Sequence, residues 1–142
     1  MKKPDTFLFV RSSRRHTEFP FPPERYLPGK NTARNHELPS FADEREQFLY
    51  GVDLFNHHYW WEAHEVWEGQ WLRKHKSSPE AILLQGLIQV AAGRLKLELG
   101  QNAPAKRLHK SAMDRLQKTL GESVCGCWIE YADFIYVVEK ST

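Results

Sequence analysis

Residues 59–72 read Tyr-Trp-Trp-Glu-Ala-His-Glu-Val-Trp-Glu-Gly-Gln-Trp-Leu and hold four of the five tryptophans of the chain. Placed on a helix at about 100° per residue, these tryptophans gather on one side. His64 and Glu68 then lie in the middle of the aromatic face, Glu65 lies at its rim and Glu62 points the other way. Burying a charge without a partner is costly, so a polar pair at the centre of an apolar stripe calls for an explanation.

The chain around this stretch has the periodicity of helices, and no strand alternation stands out. Ser77-Ser78-Pro79-Glu80 is a helix-start signal, with a cap, an early proline and an acid in the first turn. The run 81–93 is apolar almost all round, which is typical of a central, buried helix. The pattern predicts an all-α fold, a compact bundle of about five helices in antiparallel hairpins with short loops. The predicted helices span residues 41–56, 59–74, 79–99, 103–120 and 127–140.

Residues 1–40 differ in composition from the helical domain predicted for residues 41–140. They hold six of the eight prolines and lack helical periodicity. They are therefore predicted to form a proline-rich N-terminal extension of extended and turn segments. Phe19, Phe21 and Tyr26 favour an extension that packs against the helices, because disordered tails are usually poor in aromatic residues.

Length, charge and cysteine content indicate the class of protein. A length of 142 residues suits one domain with a tail. Twenty basic and 18 acidic residues give a formal net charge of +2, which supports neither a nucleic-acid partner nor a membrane surface. The basic start lacks the apolar region of a signal peptide, and no stretch reaches the ~18 apolar residues of a membrane span. With only two cysteines, Cys125 and Cys127, the chain is predicted to be cytoplasmic.

The aromatic stretch resembles the signature of a known family. Phe55-Asn56, residues 60–68 and Trp71 are similar to domain of unknown function family 309, which comprises uncharacterised bacterial and archaeal proteins. The hallmark of this family is a histidine, a glutamate four residues later and a tryptophan three after that. Here these residues are His64, Glu68 and Trp71.

Two further blocks extend the resemblance over roughly residues 41–120. Residues 84–92 resemble the second block of the family, and Leu99-Gly100 with residues 105–108 resembles the third. The chain departs from the pattern at His58, where glycine is usual, and at Trp60, where tyrosine is usual. The resemblance implies an all-helical fold and no established activity.

The first functional hypothesis is a protein that binds a small ligand or substrate, and the sequence leaves open whether it is an enzyme. His64 and Glu68 are i,i+4 neighbours on the helix, so their side chains can meet. A carboxylate orients one ring nitrogen of a neighbouring imidazole, an arrangement that suits a general base. His64 would be the base or ligand-binding group, Glu68 its orienting carboxylate and Glu65 an accessory.

Four other residues complete this candidate site. Aromatic walls with a few convergent polar groups are typical of ligand pockets, which makes Trp61 and Trp71 the candidate binding walls. Gln85 and Gln89 lie one turn apart on the next predicted helix, and we expect them to be polar neighbours of the pair.

Two alternatives stay open. In one, the chain is a structural or protein-interaction module in which His64 and Glu68 form a buried network that fixes helix register. In the other, it is a metal-binding protein. The sequence does not contain the zinc-protease motif, which needs a second histidine at the position of Glu68, nor the Glu-x-x-His pairs of di-iron bundles. The sequence indicates no cofactor and leaves the oligomeric state open.

Overall fold

The computed structural model describes residues 6–7, 15–32, 37–119, 122–124 and 127–129. This part of the chain is mainly helical, as predicted, with four helices and three short strands. The helices are α1 (Glu44–Asn56), α2 (Trp60–Leu72), α3 (Pro79–Glu98) and α4 (Asn102–Lys118). The strands are β1 (Thr6–Phe7), β2 (Ser123–Val124) and β3 (Cys127–Ile129), in the order β1-β3-β2.

The contacts between α1 and α2 show that these helices run antiparallel. Near the end of α2, Gln70 Nε2 donates to the backbone oxygen of Glu44 at the start of α1, at 2.7 Å. At the other end, the ring of Phe55 lies edge-on to the ring of Trp60, with centroids 5.1 Å apart. The start of each helix therefore meets the end of the other, as the predicted hairpin requires.

The hairpin of α2 and α3 is closed by polar contacts at both ends. Trp60 Nε1, at the start of α2, donates to Glu98 Oε1 at the end of α3, at 3.0 Å. Just beyond α2, Lys74 Nζ lies 2.5 Å from Glu80 Oε1 in the first turn of α3. These contacts fix both the direction and the register of the two helices.

Small residues on α3 let α4 approach closely. A Cβ at Gly86 would lie 3.1 Å from Leu116, and a Cβ at Gly93 would lie 3.4 Å from His109. The order of these contacts along the two helices makes α3 and α4 antiparallel as well. None of the described helices combines the length and the apolar character needed to cross a lipid bilayer.

Local signals set the helix ends. The side chain of Asp43 caps α1 by accepting the Glu46 N–H at 2.8 Å, and the Glu46 carboxylate accepts the Ala42 N–H at 2.8 Å. Ser78 caps α3 in the same way, through the N–H of Ala81 at 3.1 Å. Between α1 and α2, His58 has a φ of 69°, in the left-handed region that favours glycine. This conformation explains why glycine would suit this position.

The centre of the core is the contact between α1 and α2 around Trp67. The side chain of Trp67 is 1% exposed, and its Nε1 donates to the backbone oxygen of Phe48 at 3.3 Å. Gly51 makes this approach possible, because a Cβ there would lie 2.2 Å from Trp67 Nε1. Leu84, Leu87 and other buried side chains of α3 complete the same cluster.

The predicted helix over residues 127–140 is wrong where the structure describes it. Cys127–Ile129 is a strand that pairs with Thr6–Phe7 in parallel and with Ser123–Val124 antiparallel. The parallel partner lies at the other end of the chain, so the apolar spacing around Trp128 could not indicate it. Residues 130–140 and Cys125 lie outside the described residues.

The extension packs on the helices over residues 15–32, which confirms that its aromatic residues are docked. Phe19 contacts the ring of Tyr50 at 5.7 Å, and Phe21 contacts Tyr59 at 5.0 Å. Tyr26 lies edge-on to Trp61 at 4.9 Å. The extension therefore covers one side of the hairpin formed by α1 and α2.

Candidate functional site

The His64–Glu68 pair lies on the part of α2 that reaches solvent. His64 Nε2 is 3.4 Å from Glu68 Oε2, and the two side chains are 22% and 49% exposed. His64 Nδ1 is 3.3 Å from the backbone oxygen of Trp61. A carbonyl oxygen only accepts hydrogen bonds, so this contact is a hydrogen bond in the tautomer that carries its hydrogen on Nδ1. The ring is thus held in one orientation, with Nε2 towards Glu68.

The prediction that this pair lies at the centre of the buried face was wrong. On the helical projection, the centre of the buried residues lies roughly 110° away from His64. Tryptophan is amphipathic and packs at the rim of a core as well as inside it, so it marks the buried face poorly. Trp61 and Trp71 are partly exposed. The buried residues of α2 are Trp60, Glu62, Ala63, Val66, Trp67 and Gln70.

The pair is also not the buried network of the structural alternative. Glu68 is about half exposed, and the predicted glutamine neighbours do not join it. Gln89 Oε1 instead accepts from Arg115 Nη1 of α4 at 3.3 Å. Within the described residues, neither Gln89 nor Gln85 is hydrogen-bonded to His64 or Glu68. Tertiary packing turns this side of α3 towards α4.

One of the two predicted aromatic walls lies against the histidine. The rings of Trp61 and His64 are 5.2 Å apart and tilted by 56°. Tyr26, from the extension, extends this wall by packing on Trp61. Trp61 Nε1 is buried and has no hydrogen-bond partner among the described residues. The second predicted wall, Trp71, is covered by a lysine. Lys76 Nζ lies 4.2 Å from the centroid of the Trp71 ring.

Glu65 and Glu62 occupy places opposite to those expected from the projection. Glu65 is exposed, so it lies outside any enclosed site. Glu62 is fully buried, and its Oε2 accepts the backbone N–H of Tyr26 at 2.7 Å. This contact could not be predicted beyond the aromatic residues of the extension, because a backbone donor is present at almost every position.

A second polar cluster lies where α2 begins and α3 ends. Arg25 of the extension forms a two-bond ion pair with Glu98, at 2.8 and 2.9 Å. The hydrogen bond from Arg25 lowers the pKa of Glu98, against the effect of burial. Arg94 lies over the ring of Trp60, 4.7 Å from its centroid, and the ring of His58 stacks on Trp60 at 4.8 Å. Sequence reasoning did not identify this cluster.

No group of three or more histidine, cysteine, aspartate or glutamate side chains could hold a metal ion within the described ranges. His64 and Glu68 are two such side chains, and Glu65 does not converge on them. The pair as described is a histidine and a carboxylate in contact on the surface of α2.

The fold and the site define a helical-hairpin protein built around a histidine–glutamate pair. Residues 48–108 match the family described as Domain of unknown function (DUF309). The match includes all of α2 and α3, and His64, Glu68 and Trp71 fall within it. Among curated proteins and among solved structures, no match to the chain is found.

Proposed function

We propose that the protein binds a small polar molecule at the surface of α2 formed by His64, Glu68 and Trp61. The observation that carries this proposal is that His64 is fixed at Nδ1 and yet remains open to solvent. An exposed ion pair at i,i+4 adds only ~0.2–0.5 kcal/mol to a helix, so the fold does not depend on this contact. The polar groups that serve packing lie elsewhere on α2, at the buried residues Glu62 and Gln70.

The ring nitrogens of His64 support a role in recognition or proton transfer. With hydrogen on Nδ1, the neutral imidazole offers Nε2 as an acceptor. A proton taken from a ligand at Nε2 would lie 3.4 Å from the carboxylate of Glu68, which can accept it as a hydrogen bond. Glu68 faces the same nitrogen that would take the proton, so its charge would stabilise the imidazolium, while the backbone oxygen of Trp61 orients the ring through Nδ1. Glu65, at the rim, would add negative charge near a bound cationic group.

The neighbouring aromatic rings support a ligand with a flat or apolar part. Tyr26 and Trp61 form a continuous wall beside the imidazole. Aromatic surface with few convergent polar groups is how small-molecule sites are built.

The test is a thermal-shift screen of the wild-type protein against mixtures of metabolites. A ligand of this site should raise the melting temperature of the wild type and fail to raise that of His64→Ala. His75→Ala is the matched control, because it removes an exposed histidine from the loop before α3. A ligand that stabilises His64→Ala as strongly as the wild type would place the binding elsewhere.

A protein-interaction module is the second candidate, favoured by the exposed end of α2. Leu72 is 63% exposed, and Trp71 beside it is partly exposed. Leu72 and Trp71 are neighbours, and contiguous exposed apolar surface is the feature that marks contact surfaces. Light scattering of the wild type and of Leu72→Ser at increasing concentration would reveal association through this patch.

The setting that we propose for either function is the cytoplasm. The near balance of basic and acidic residues and the presence of only two cysteines support it. They also favour a small molecule or a protein over nucleic acid or a membrane as the partner.

A further inference from the structure

The extension is held in a groove of the helical hairpin through the carbonyl groups of its prolines. Tyr50 Oη donates to the backbone oxygen of Pro20 at 2.8 Å. Tyr59 Oη donates to the backbone oxygen of Pro22 at 3.0 Å. A proline has no N–H of its own, so its carbonyl is the backbone group through which it is recognised.

Aromatic side chains of the groove hold the phenylalanines between these prolines. Phe21 packs against Tyr59 at 5.0 Å and edge-on against His57 at 5.0 Å. Phe19 packs edge-on against Phe41 at 5.3 Å. Aromatic grooves that donate hydrogen bonds to prolyl carbonyls are the way in which proline-rich peptides are bound in general.

The bound segment is stiff before it binds. Each proline in Phe19-Pro20-Phe21-Pro22-Pro23 has a fixed φ, and each residue before a proline is restricted to extended conformations. Little conformational entropy is therefore lost when the segment enters the groove. Binding of such a segment therefore costs less than binding of a flexible one.

Carboxylates of the helices anchor both ends of the segment. At one end, the fully buried Asp53 accepts the backbone N–H groups of His16 and Thr17, at 2.8 and 2.9 Å. Arg15 Nε lies 3.3 Å from the same carboxylate. At the other end, Arg25 pairs with Glu98. The groove is thus acidic at both ends, and its occupant is basic at both ends.

An open pocket lies beside the first residues of the bound segment. A cavity of about 390 Å³ lies between residues 16–20 and Glu46 of α1. The groove residues between Tyr50 and Glu98 in the sequence lie within residues 48–108, which match the family. The bound segment, residues 15–27, lies outside this match. The groove and its occupant are therefore separate parts of the chain.

We propose that this groove is a recognition site for an extended peptide of a partner protein, and that residues 15–27 occupy it as an intramolecular competitor. The partner segment carries alternating phenylalanine and proline, with a basic residue on each side. The tyrosine hydroxyls bind its prolyl carbonyls, the aromatic groove binds its phenylalanines, and the acidic ends bind its basic residues. The tethered segment keeps the site closed to weak ligands, because its local concentration is high.

The test uses full-length protein and a fluorescein-labelled peptide with the sequence of residues 15–27. Fluorescence anisotropy measures the affinity of this peptide for the wild type and for Phe21→Ala, which weakens the tethered segment and leaves the groove intact. We expect Phe21→Ala to bind at least about tenfold more tightly, since the competitor is impaired. Thr17→Ala is the milder variant, and it removes one hydrogen bond to Asp53.

Two controls connect the binding with the groove. Adding Tyr59→Phe to Phe21→Ala removes one donor to the prolyl carbonyls and should weaken binding, and a peptide with Phe21→Ala should bind poorly. Circular dichroism establishes that each variant is folded.

Failure of the labelled peptide to bind either folded variant would overturn the proposal, as would binding unchanged by Tyr59→Phe. A dimer that grows with concentration and is dissolved by the peptide would assign the groove to a second copy, and would also overturn it.

Discussion

Glu62 of α2 and Tyr26 of the extension are joined by a 2.7 Å hydrogen bond, from the Tyr26 N–H to a fully buried carboxylate. The ring of Tyr26 packs at the same time on Trp61, which contacts His64. One helix therefore carries two carboxylates with different roles. Glu62 holds the extension from inside, and Glu68 faces solvent beside His64.

Replacing Glu62 by alanine should destabilise the fold strongly. The change removes a charged acceptor and leaves the N–H of Tyr26 buried without its carboxylate. Hydrogen bonds to buried charged groups of this kind contribute about 1.5–3 kcal/mol, and the small cavity adds to the loss. Urea denaturation of Glu62→Ala should show this loss, whereas Glu65→Ala, at an exposed position of the same helix, should change the free energy of unfolding by less than ~0.5 kcal/mol. If Glu62→Ala and Glu65→Ala lowered the free energy of unfolding by similar amounts, Glu62 would not be the buried carboxylate that holds the extension.

Gly51→Ala should also destabilise the protein, for a steric reason. The new methyl group would lie 2.2 Å from Trp67 Nε1, so the fully packed indole would have to move. Overpacking of this kind costs about 1–3 kcal/mol, and occasionally more. The measurement is the shift of the urea midpoint.

Gly69→Ala is the matched control for this prediction. At Gly69 the nearest atom is Gln47 Nε2 at 3.5 Å, an ordinary contact. The substitution should be neutral or should stabilise α2 by up to ~1 kcal/mol, because alanine is the better helix former. A Gly51→Ala variant as stable as Gly69→Ala would show that α1 and α2 are not in this close contact.

Stability should fall as the solution becomes mildly acidic, in part through His109. Burial, and then the charge of Arg94, lower the pKa of His109 from its ordinary value of 6.5. Below that value the unfolded chain takes up a proton that the folded protein resists, so the free energy of unfolding decreases as the pH falls. The pKa values of His57 and His58 are lowered mainly by burial and act in the same direction.

The measurement is the difference between urea midpoints at about pH 7.5 and pH 5.5, which bracket the ordinary histidine pKa. His109→Gln keeps a polar side chain but cannot titrate, so it should lose less stability than the wild type over this interval. His75→Gln, in the loop before α3, should behave like the wild type. An unchanged pH dependence in His109→Gln would show that its imidazole contributes nothing to the acid sensitivity.

The described helices could be predicted because their signals are local. Ser78 caps α3 as predicted, whereas α1 is capped by Asp43 and begins at Glu44, three residues after the predicted start at residue 41. The other predicted ends fall within a few residues of those in the structure. The contact between His64 and Glu68 was also predictable, since it depends only on their i,i+4 spacing. The strand at Cys127–Ile129 could not be predicted from the sequence. Its parallel partner, Thr6–Phe7, lies near the other end of the chain.

The burial of the site residues could not be derived from the sequence of α2 alone. Neighbours on both sides decide which part of this helix is covered, and one of them is the extension. Gln70 is buried because it reaches the backbone of Glu44. Glu62 is buried because Tyr26 covers it. The tryptophans indicated an aromatic helix correctly, but not the direction of the core.

We propose that His64 and Glu68 serve binding or proton transfer and not the stability of the fold. The most direct test is the free energy of unfolding of His64→Ala and Glu68→Gln, measured by urea denaturation beside the wild type. We predict that each variant stays within ~1 kcal/mol of the wild type, as expected for partly exposed side chains. A loss of ~3 kcal/mol or more in both variants would contradict the account and assign the pair to the structure of the bundle.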